Sequence, residues 1–295
     1  MTFRRVVIDE VNRAIGVAQY ASGKSINAAR VLHEMGKEVL ATGFLGGDTG
    51  KFMRSDLDRA GLAHDFLEVT PATRQCVTVV DEKTGTATEL VEEAASVEPR
   101  AYVKLLREMD ANLWRAKAIV LSGSLPSEAP ADFYAQCVRR ANDENVPVIL
   151  DARGEPLMEA LACNPFIVKP NREELAQTVG WTIDSEDALR AAMQKMVELG
   201  AQWVAVTLGK EGAMVSDGRD CWRIDSPLVK AVSAVGSGDS FAGGLAEGIA
   251  QREDVPHACA LACACGAANA MTPLAGHINL ADVKTLLARV RVERV

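Results

Sequence analysis

Between Val232 and Gly244 an apolar run breaks at Gly236 and Gly238 and then opens a helix with Asp239 in its first turn, in the order Val-Ser-Ala-Val-Gly-Ser-Gly-Asp-Ser-Phe-Ala-Gly-Gly. Glycines let the backbone turn without a Cβ penalty, and the first N–H groups and positive dipole end of the helix face back into the loop. Such a loop receives an anion. A carboxylate beside a bound anion is poorly placed as a cap but well placed as a base for a hydroxyl that attacks it. The same stretch also reads as a plain loop-to-helix junction with a helix-favouring Asp, and the loop alone does not separate the two.

The elements needed to position this loop follow from periodicity. The first twenty residues alternate apolar and polar around Asp9-Glu10 and predict one or two strands. Ser25 to Met35 has helical spacing and stops at Gly36, Val39 to Leu45 reads as a buried strand, and a helix through Phe52, Leu57 and Ala60 stops at Gly61. Arg74 to Val80 and Thr86 to Val91 flank the turn Asp81-Glu-Lys-Thr-Gly85 and predict a hairpin. From residue 97 strands and helices alternate: helix 102–113, strand 118–121, helix 133–141, strands 146–150 and 166–168, helix 188–199, strand 203–207, and helices near 257–271 and 281–290. The pattern predicts one α/β domain over residues 1–295, a three-layer, doubly wound, mostly parallel sheet with a small β lid from about residues 3–20 and 66–96. Sites in such sheets lie beyond the carboxyl ends of the strands, where Gly46-Gly47-Asp48, Ser122 to Pro126, Asp151, Lys169 to Asn171 and Thr207 to Gly209 fall.

Bulk properties narrow the function. The 295 residues, 48% of them hydrophobic, supply an ample core, and a net charge of −8 argues against a nucleic-acid surface, leaving small molecules as partners. Seven cysteines without a CxxC pair and only four histidines argue against a structural zinc and a disulfide framework. With no signal-peptide core and no apolar run of membrane-span length, the expectation is a soluble chain in a reducing cytoplasm, away from membranes. Ser22-Gly-Lys-Ser25 looks like the end of a Walker A loop, but the leading glycine would be residue 18, which is Ala18; no GxGxxG follows the first strand either.

Five segments in order, Gly43-Phe-Leu-Gly-Gly-Asp, Leu121-Ser-Gly-Ser-Leu-Pro, Lys169-Pro-Asn-Arg-Glu-Glu-Leu, Thr207-Leu-Gly-Lys-Glu-Gly-Ala and Val235-Gly-Ser-Gly-Asp-Ser, resemble the ribokinase-like (PfkB-type) sugar kinases, and within them the branch of 1-phosphofructokinase and tagatose-6-phosphate kinase. The resemblance implies ATP-dependent phosphoryl transfer to a hydroxyl of a sugar or sugar phosphate, a hexose phosphate such as fructose 1-phosphate or tagatose 6-phosphate being favoured. It implies Asp239 as base and the Gly236, Ser237 and Gly238 amides as the anion hole. Lys24, Asn27, Gly47, Arg74 and Ser124 would bind the acceptor, with Lys24 and Arg74 holding a phosphate already on the sugar. Lys169, Asn171, Thr207, Gly209, Gly212 and, at the adenine wall, Asn269 would bind ATP. Asn171 and Glu174 would position Mg²⁺ through water, although both also suit a helix cap. A monovalent cation near Gly276 and a homodimer paired through the lid complete what the resemblance implies.

Two departures qualify it. The family opens with a central strand ending in an Asn-Pro-x-x-Asp segment whose Asp binds sugar; aligned on Val11-Asn12-Arg13, this sequence starts just after that Asp, so a central sheet position is expected to be vacant unless upstream residues or another segment fill it. The family's Gly-Gly-Lys-Gly is here Ser22-Gly-Lys-Ser25, whose two side chains are expected to crowd the sugar loop. The alternative function is therefore a catalytically impaired sugar or nucleotide sensor of the same fold.

Overall fold

The computed structural model describes residues 1–295. Its elements run β1 (Thr2–Phe3), α1 (Lys24–Glu34), β2 (Ala41–Gly46), α2 (Gly47–Ala60), β3 (His64–Val69), β4 (Cys76–Asp81), β5 (Thr86–Val91), α3 (Pro99–Leu113), β6 (Ile119–Ser122) and α4 (Phe133–Asp143). They continue with β7 (Val148–Asp151), α5 (Glu155–Leu161), β8 (Ile167–Val168), α6 (Arg172–Val179), α7 (Glu186–Glu198), β9 (Trp203–Thr207), β10 (Gly212–Ser216), β11 (Cys221–Asp225), α8 (Ser237–Ala250), α9 (Val255–Ala270), α10 (Leu280–Leu287) and β12 (Arg291–Arg294).

A seven-stranded sheet ordered β12-β11-β10-β9-β8-β7-β6 forms the middle layer. Its β6 to β9 half is parallel, as the alternation predicts, and β10 to β12 extend it as an antiparallel edge. Successive residues of a strand face opposite sides, so Val148 and Leu150 join the core under α3 to α7 while Ile149 joins the core under α8 and α9. Burial on both faces accounts for the continuous Val-Ile-Leu run of β7. On the second face α8 lies against α1 and α9 at glycine distance: a Cβ on Gly243 would stand 2.8 Å from Ala28 O, and one on Gly248 2.6 Å from Ala258 Cα. Cys259, Cys263 and Cys265 of α9 are small buried side chains, and a Cβ on Gly244 of α8 would stand 2.8 Å from Cys265 Sγ. No helix is long and apolar enough to cross a membrane.

The lid differs from expectation at both ends. It is a three-stranded sheet, β1-β4-β5, in which the hairpin β4-β5 is antiparallel as predicted. Of the N-terminal segment expected over residues 3–20, only Phe3 lies in a strand, and a single bridge ties Thr2 to Gly16. Alternation without a neighbouring strand leaves the backbone to water, and Ile8 and Val11 stand 87% exposed. The start of the expected 66–96 segment belongs elsewhere, because β3 pairs in parallel with β2 in a separate two-stranded sheet. No ladder joins β2 to β6, although α1 packs against both, so the strand layer is interrupted in the N-terminal half.

Candidate active site

The loop before α8 has the conformation its glycines suggest. Gly236 sits at φ 81°, in the left-handed region, and caps α8; a Cβ there would stand 2.6 Å from Ala275 Cβ, so glycine is required on both grounds. The amides of Gly236, Gly238 and Asp239 have no acceptor in the protein, whereas Ser237 N–H donates to Ala234 O at 3.2 Å. The free donor set is therefore shifted by one residue from the expected Gly236, Ser237 and Gly238 trio, because a turn claims the Ser237 amide. Asn269 is corrected too: it is fully buried, donates to Val235 O (2.9 Å) and Ser237 Oγ (3.3 Å), and accepts from Gly276 N (2.7 Å). A side chain spent at both ends of its amide braces the anion loop and presents no face to a nucleotide base.

Asp239, half-buried, points at α1, where Asn27 Nδ2 donates to its Oδ2 at 2.7 Å. Asn27 is itself buried and its Oδ1 accepts from Ser22 Oγ at 3.1 Å, so its side chain is committed to the protein and not to the expected sugar contact. Burial pushes the Asp239 carboxyl up, the Asn27 hydrogen bond draws it down, Asp151 pushes it up again and Lys169 and Lys24 draw it down; it settles at about 6. Ser22 and Ser25 do not crowd the loop as expected: Ser25 Oγ donates to Ser122 O at the end of β6 (2.9 Å).

Asp151 is the main residue that motif spacing leaves without a role. At the carboxyl end of β7, 2% exposed, it lies 3.0 Å from Lys24 Nζ and 3.3 Å from the equally buried Lys169 Nζ. Burial works against its charge, but Lys169 and Lys24 outweigh burial and hold the carboxyl below the usual carboxylate range. Burial likewise opposes the charge on Lys24, and Asp151 and Glu174 outweigh it, so the Lys24 pKa is raised. Its position directly after the apolar run of a parallel strand is the signal that singles Asp151 out. Lys169 Nζ stands 3.9 Å from where a Cβ on Gly238 would lie, which brings this charge cluster up against the anion loop.

Asn171 and Glu174 form a complete capping box on α6, with Glu174 N donating to Asn171 Oδ1 (2.8 Å) and Asn171 N to Glu174 Oε2 (2.9 Å). Glu174 Oε1 lies outside the box, 3.7 Å from Lys24 Nζ. No three His, Cys, Asp or Glu side chains gather as a direct metal set. A carboxylate with one oxygen to spare fits Mg²⁺ held through its waters and does not fit an inner-sphere cage. Thr207, at the end of β9, bridges to Asn171, and Gly209 opens the short turn after it. Gly212 serves the sheet, since a Cβ there would stand 1.9 Å from Ile224 O.

On the lid side, Thr73 clamps Gly46 through two hydrogen bonds, Thr73 N to Gly46 O (2.9 Å) and Gly46 N to Thr73 Oγ1 (3.0 Å). Gly47, at φ 63°, packs under Ala72, where a Cβ would meet the Ala72 Cβ at 2.8 Å. Arg74, half-buried and without an ion-pair partner, follows directly after the Thr73 that clamps Gly46. Ser124 lies apart on an exposed loop and lines a cavity of about 630 Å³ with Arg153, Glu174 and Thr178.

Comparison with known proteins agrees with this geometry. The pfkB family carbohydrate kinase profile matches residues 1–280. Phosphofructokinase-2 from Escherichia coli, solved with potassium, is 28% identical with a TM-score of 0.90 over 98% of this chain and 94% of that one. The same protein solved with fructose-6-phosphate gives 27% and 0.86 over 98% and 93%. A protein from Staphylococcus aureus provisionally assigned as a phosphofructokinase is 30% identical with a TM-score of 0.79, over 100% of this chain and 94% of that one. A glycine loop with free amides, a half-buried carboxylate at its mouth and a family match over nearly the whole length lead to one conclusion: the chain belongs to the pfkB family and is an ATP-dependent carbohydrate kinase with the ribokinase-like fold.

Proposed function

We propose that this kinase transfers the γ-phosphoryl group of ATP to a hydroxyl of a hexose phosphate, with Asp239 as general base. The observation that carries the reading is Asp239 itself, held at Oδ2 by Asn27 (2.7 Å) and standing beside three amides that have no other acceptor. With a pKa of about 6 the carboxylate is ionised at neutral pH and takes the acceptor's hydroxyl proton as its oxygen bonds to the γ-phosphorus. The bond from that phosphorus to the bridging oxygen breaks, and ADP leaves with the electron pair. The Gly236, Gly238 and Asp239 amides stabilise the charge that spreads over the transferring oxygens, and Lys169 and Lys24 add positive charge without a reorganisation cost.

Mg²⁺, when bound, neutralises phosphate charge; Glu174 and Asn171 would hold it through water. Thr207 and Gly209 line the donor phosphates in this reading. Arg74, without an ion-pair partner and next in the chain to the Thr73 that clamps Gly46, takes the phosphate carried by the acceptor, with Gly47 beside the clamp and Ser124 on the separate loop after β6. The neighbour solved with fructose-6-phosphate supports a hexose phosphate, and the one solved with potassium supports a monovalent cation, which this reading puts near Gly276. The lid pairs two subunits: β5 is exposed along its whole length and leaves one edge free. Seven unpaired cysteines agree with a reducing cytoplasm.

The test is ATP consumption against fructose 6-phosphate, fructose 1-phosphate, tagatose 6-phosphate and the free sugars, with Asp239→Asn as control. Turnover confined to phosphorylated hexoses and lost in the variant is expected. Tight binding of a sugar without turnover, unchanged in Asp239→Asn, would sink the proposal in favour of a sensor.

A further inference from the structure

Asn27 and Asp239 meet from opposite ends of the chain, and what holds them together is visible in the backbone. The Ala275-Gly276 turn packs between the backbone of Asn27 and the Gly236 loop that carries Asp239: a Cβ on Gly276 would stand 2.6 Å from Asn27 Cα, and one on Gly236 would stand 2.8 Å from Ala275 Cα. The loop that carries Ser22 is equally fixed, because Asp56 Oδ2 accepts from Ala21 N (2.8 Å) and the buried guanidinium of Arg30 donates to Ala21 O (2.7 Å). Between these two fixed points the Asn27 amide has a definite orientation. Its NH₂ end must face the Asp239 carboxylate, since its carbonyl end there would set oxygen against oxygen, and Ser22 Oγ then donates to the carbonyl at 3.1 Å.

We propose that Ser22 and Asn27 are positioning residues for Asp239: the Ser22 hydroxyl locks the Asn27 amide, and the amide holds Oδ2 so that Oδ1 is the oxygen presented to the acceptor hydroxyl. The inference rests on the reading of Asp239 as the base. It places Ser22, a side chain of the loop that leads into α1, on the base and not on the sugar, and it moves Asn27 from acceptor binding to control of the carboxylate. The relay favours the ionised carboxylate, because the Asn27 amide donates a stronger hydrogen bond to a charged oxygen than to a neutral carboxyl. The other charges facing Asp239 are Asp151 from β7, Lys169 after β8 and Lys24 from α1, and the relay adds to a balance they set.

Two readouts test it, the titration of the Asp239 carboxyl carbon by NMR in the free enzyme and the acid limb of kcat/KM with ATP and fructose 6-phosphate or fructose 1-phosphate. Asn27→Ala is expected to move both upward by roughly one pH unit, the scale of one lost hydrogen bond to a charged group. Ser22→Ala, at an exposed hydroxyl, moves them the same way by roughly a third of that, and Ser22→Thr, which keeps the hydroxyl, brings them back. In all three the acceptor KM stays within about twofold at pH values above the limb. A carboxyl titration unmoved in Ser22→Ala and Asn27→Ala overturns the inference, as does a tenfold rise in acceptor KM with the titration in place. If Asn27→Ala fails to fold, Ser22→Ala and Ser22→Thr decide alone. Full turnover by Asp239→Asn would end the base reading, and the carboxyl titration would still judge the relay by itself.

Discussion

The two ends of the site are built differently. Around α8 every functional group is braced: Gly236 is pressed on Ala275, Asn269 ties the loop to Gly276, and Asp151 is enclosed by two lysines. On the lid side Arg74 has no ion-pair partner, all of β5 is exposed, and one bridge holds the N-terminal segment. Charge stabilisation in phosphoryl transfer works only if the donors are in place before the reaction, which requires a rigid, buried frame. Recognition and closure require parts that move, and these are drawn from the least stable elements.

The comparison breaks first if Asp239 fails to behave as a functional group held at a cost. Asp239→Asn is expected to lower kcat by about 10²–10⁴-fold, the span of a general base. The same variant is expected to raise the melting temperature at pH 7–8. The folded pKa, about 6, lies above the unfolded value, so the stability linked to this group is full at acid pH and is lost as pH rises through 6. Removing the charge recovers on the order of 1–3 kcal/mol. A thermal melt that drops instead would place Asp239 among the structural carboxylates.

Asp151 has the opposite sign. Its folded pKa is depressed, so its contribution is present above the unfolded value near neutral pH and is lost as pH falls through the folded one. Asp151→Asn leaves Lys169 buried without a counter-charge and is expected to destabilise by about 3–5 kcal/mol at pH 7 in chemical denaturation, with the difference from wild type shrinking in acid.

The lid side answers with binding and assembly. Arg74→Ala is expected to raise the acceptor KM by roughly 10–100-fold through the loss of a charge-assisted contact, with kcat changing less than about threefold and the melt unmoved. Leu90→Glu, on the exposed β5, is expected to change monomer stability by less than about 0.5 kcal/mol yet to shift the sedimentation behaviour from dimer to monomer. A large loss of stability in either variant would erase the contrast between the two ends.

Much of the parallel half was legible because its strands are continuous apolar runs ended by glycines and a carboxylate, as in Val148 to Asp151. The β10 to β12 edge was not, since Gly212 to Ser216 and Cys221 to Asp225 carry no crossover helix to announce them. The N-terminal segment misled for the converse reason: its alternation is real, but Ile8 and Val11 have no surface to cover. The conformation of the loop from Gly236 to Asp239 was legible because the backbone there needs glycine and the helix start takes a small, polar first turn. Asn269 was misread because a motif position says nothing of which way an amide faces.

What the sequence by itself determined is the set of groups and their local geometry: the glycine loop, the carboxylate at a helix start, the capping box of Asn171 and Glu174 three residues apart. Those contacts close within a turn of chain, so propensity and spacing dictate them. Only the tertiary structure decided that Asn27 holds Asp239 across 212 residues, that Asp151 lies between Lys24 and Lys169, and that Asn269 braces the loop. Protonation state and amide orientation depend on desolvation and on partners at hydrogen-bond distance, and these are set when the sheet and helices pack.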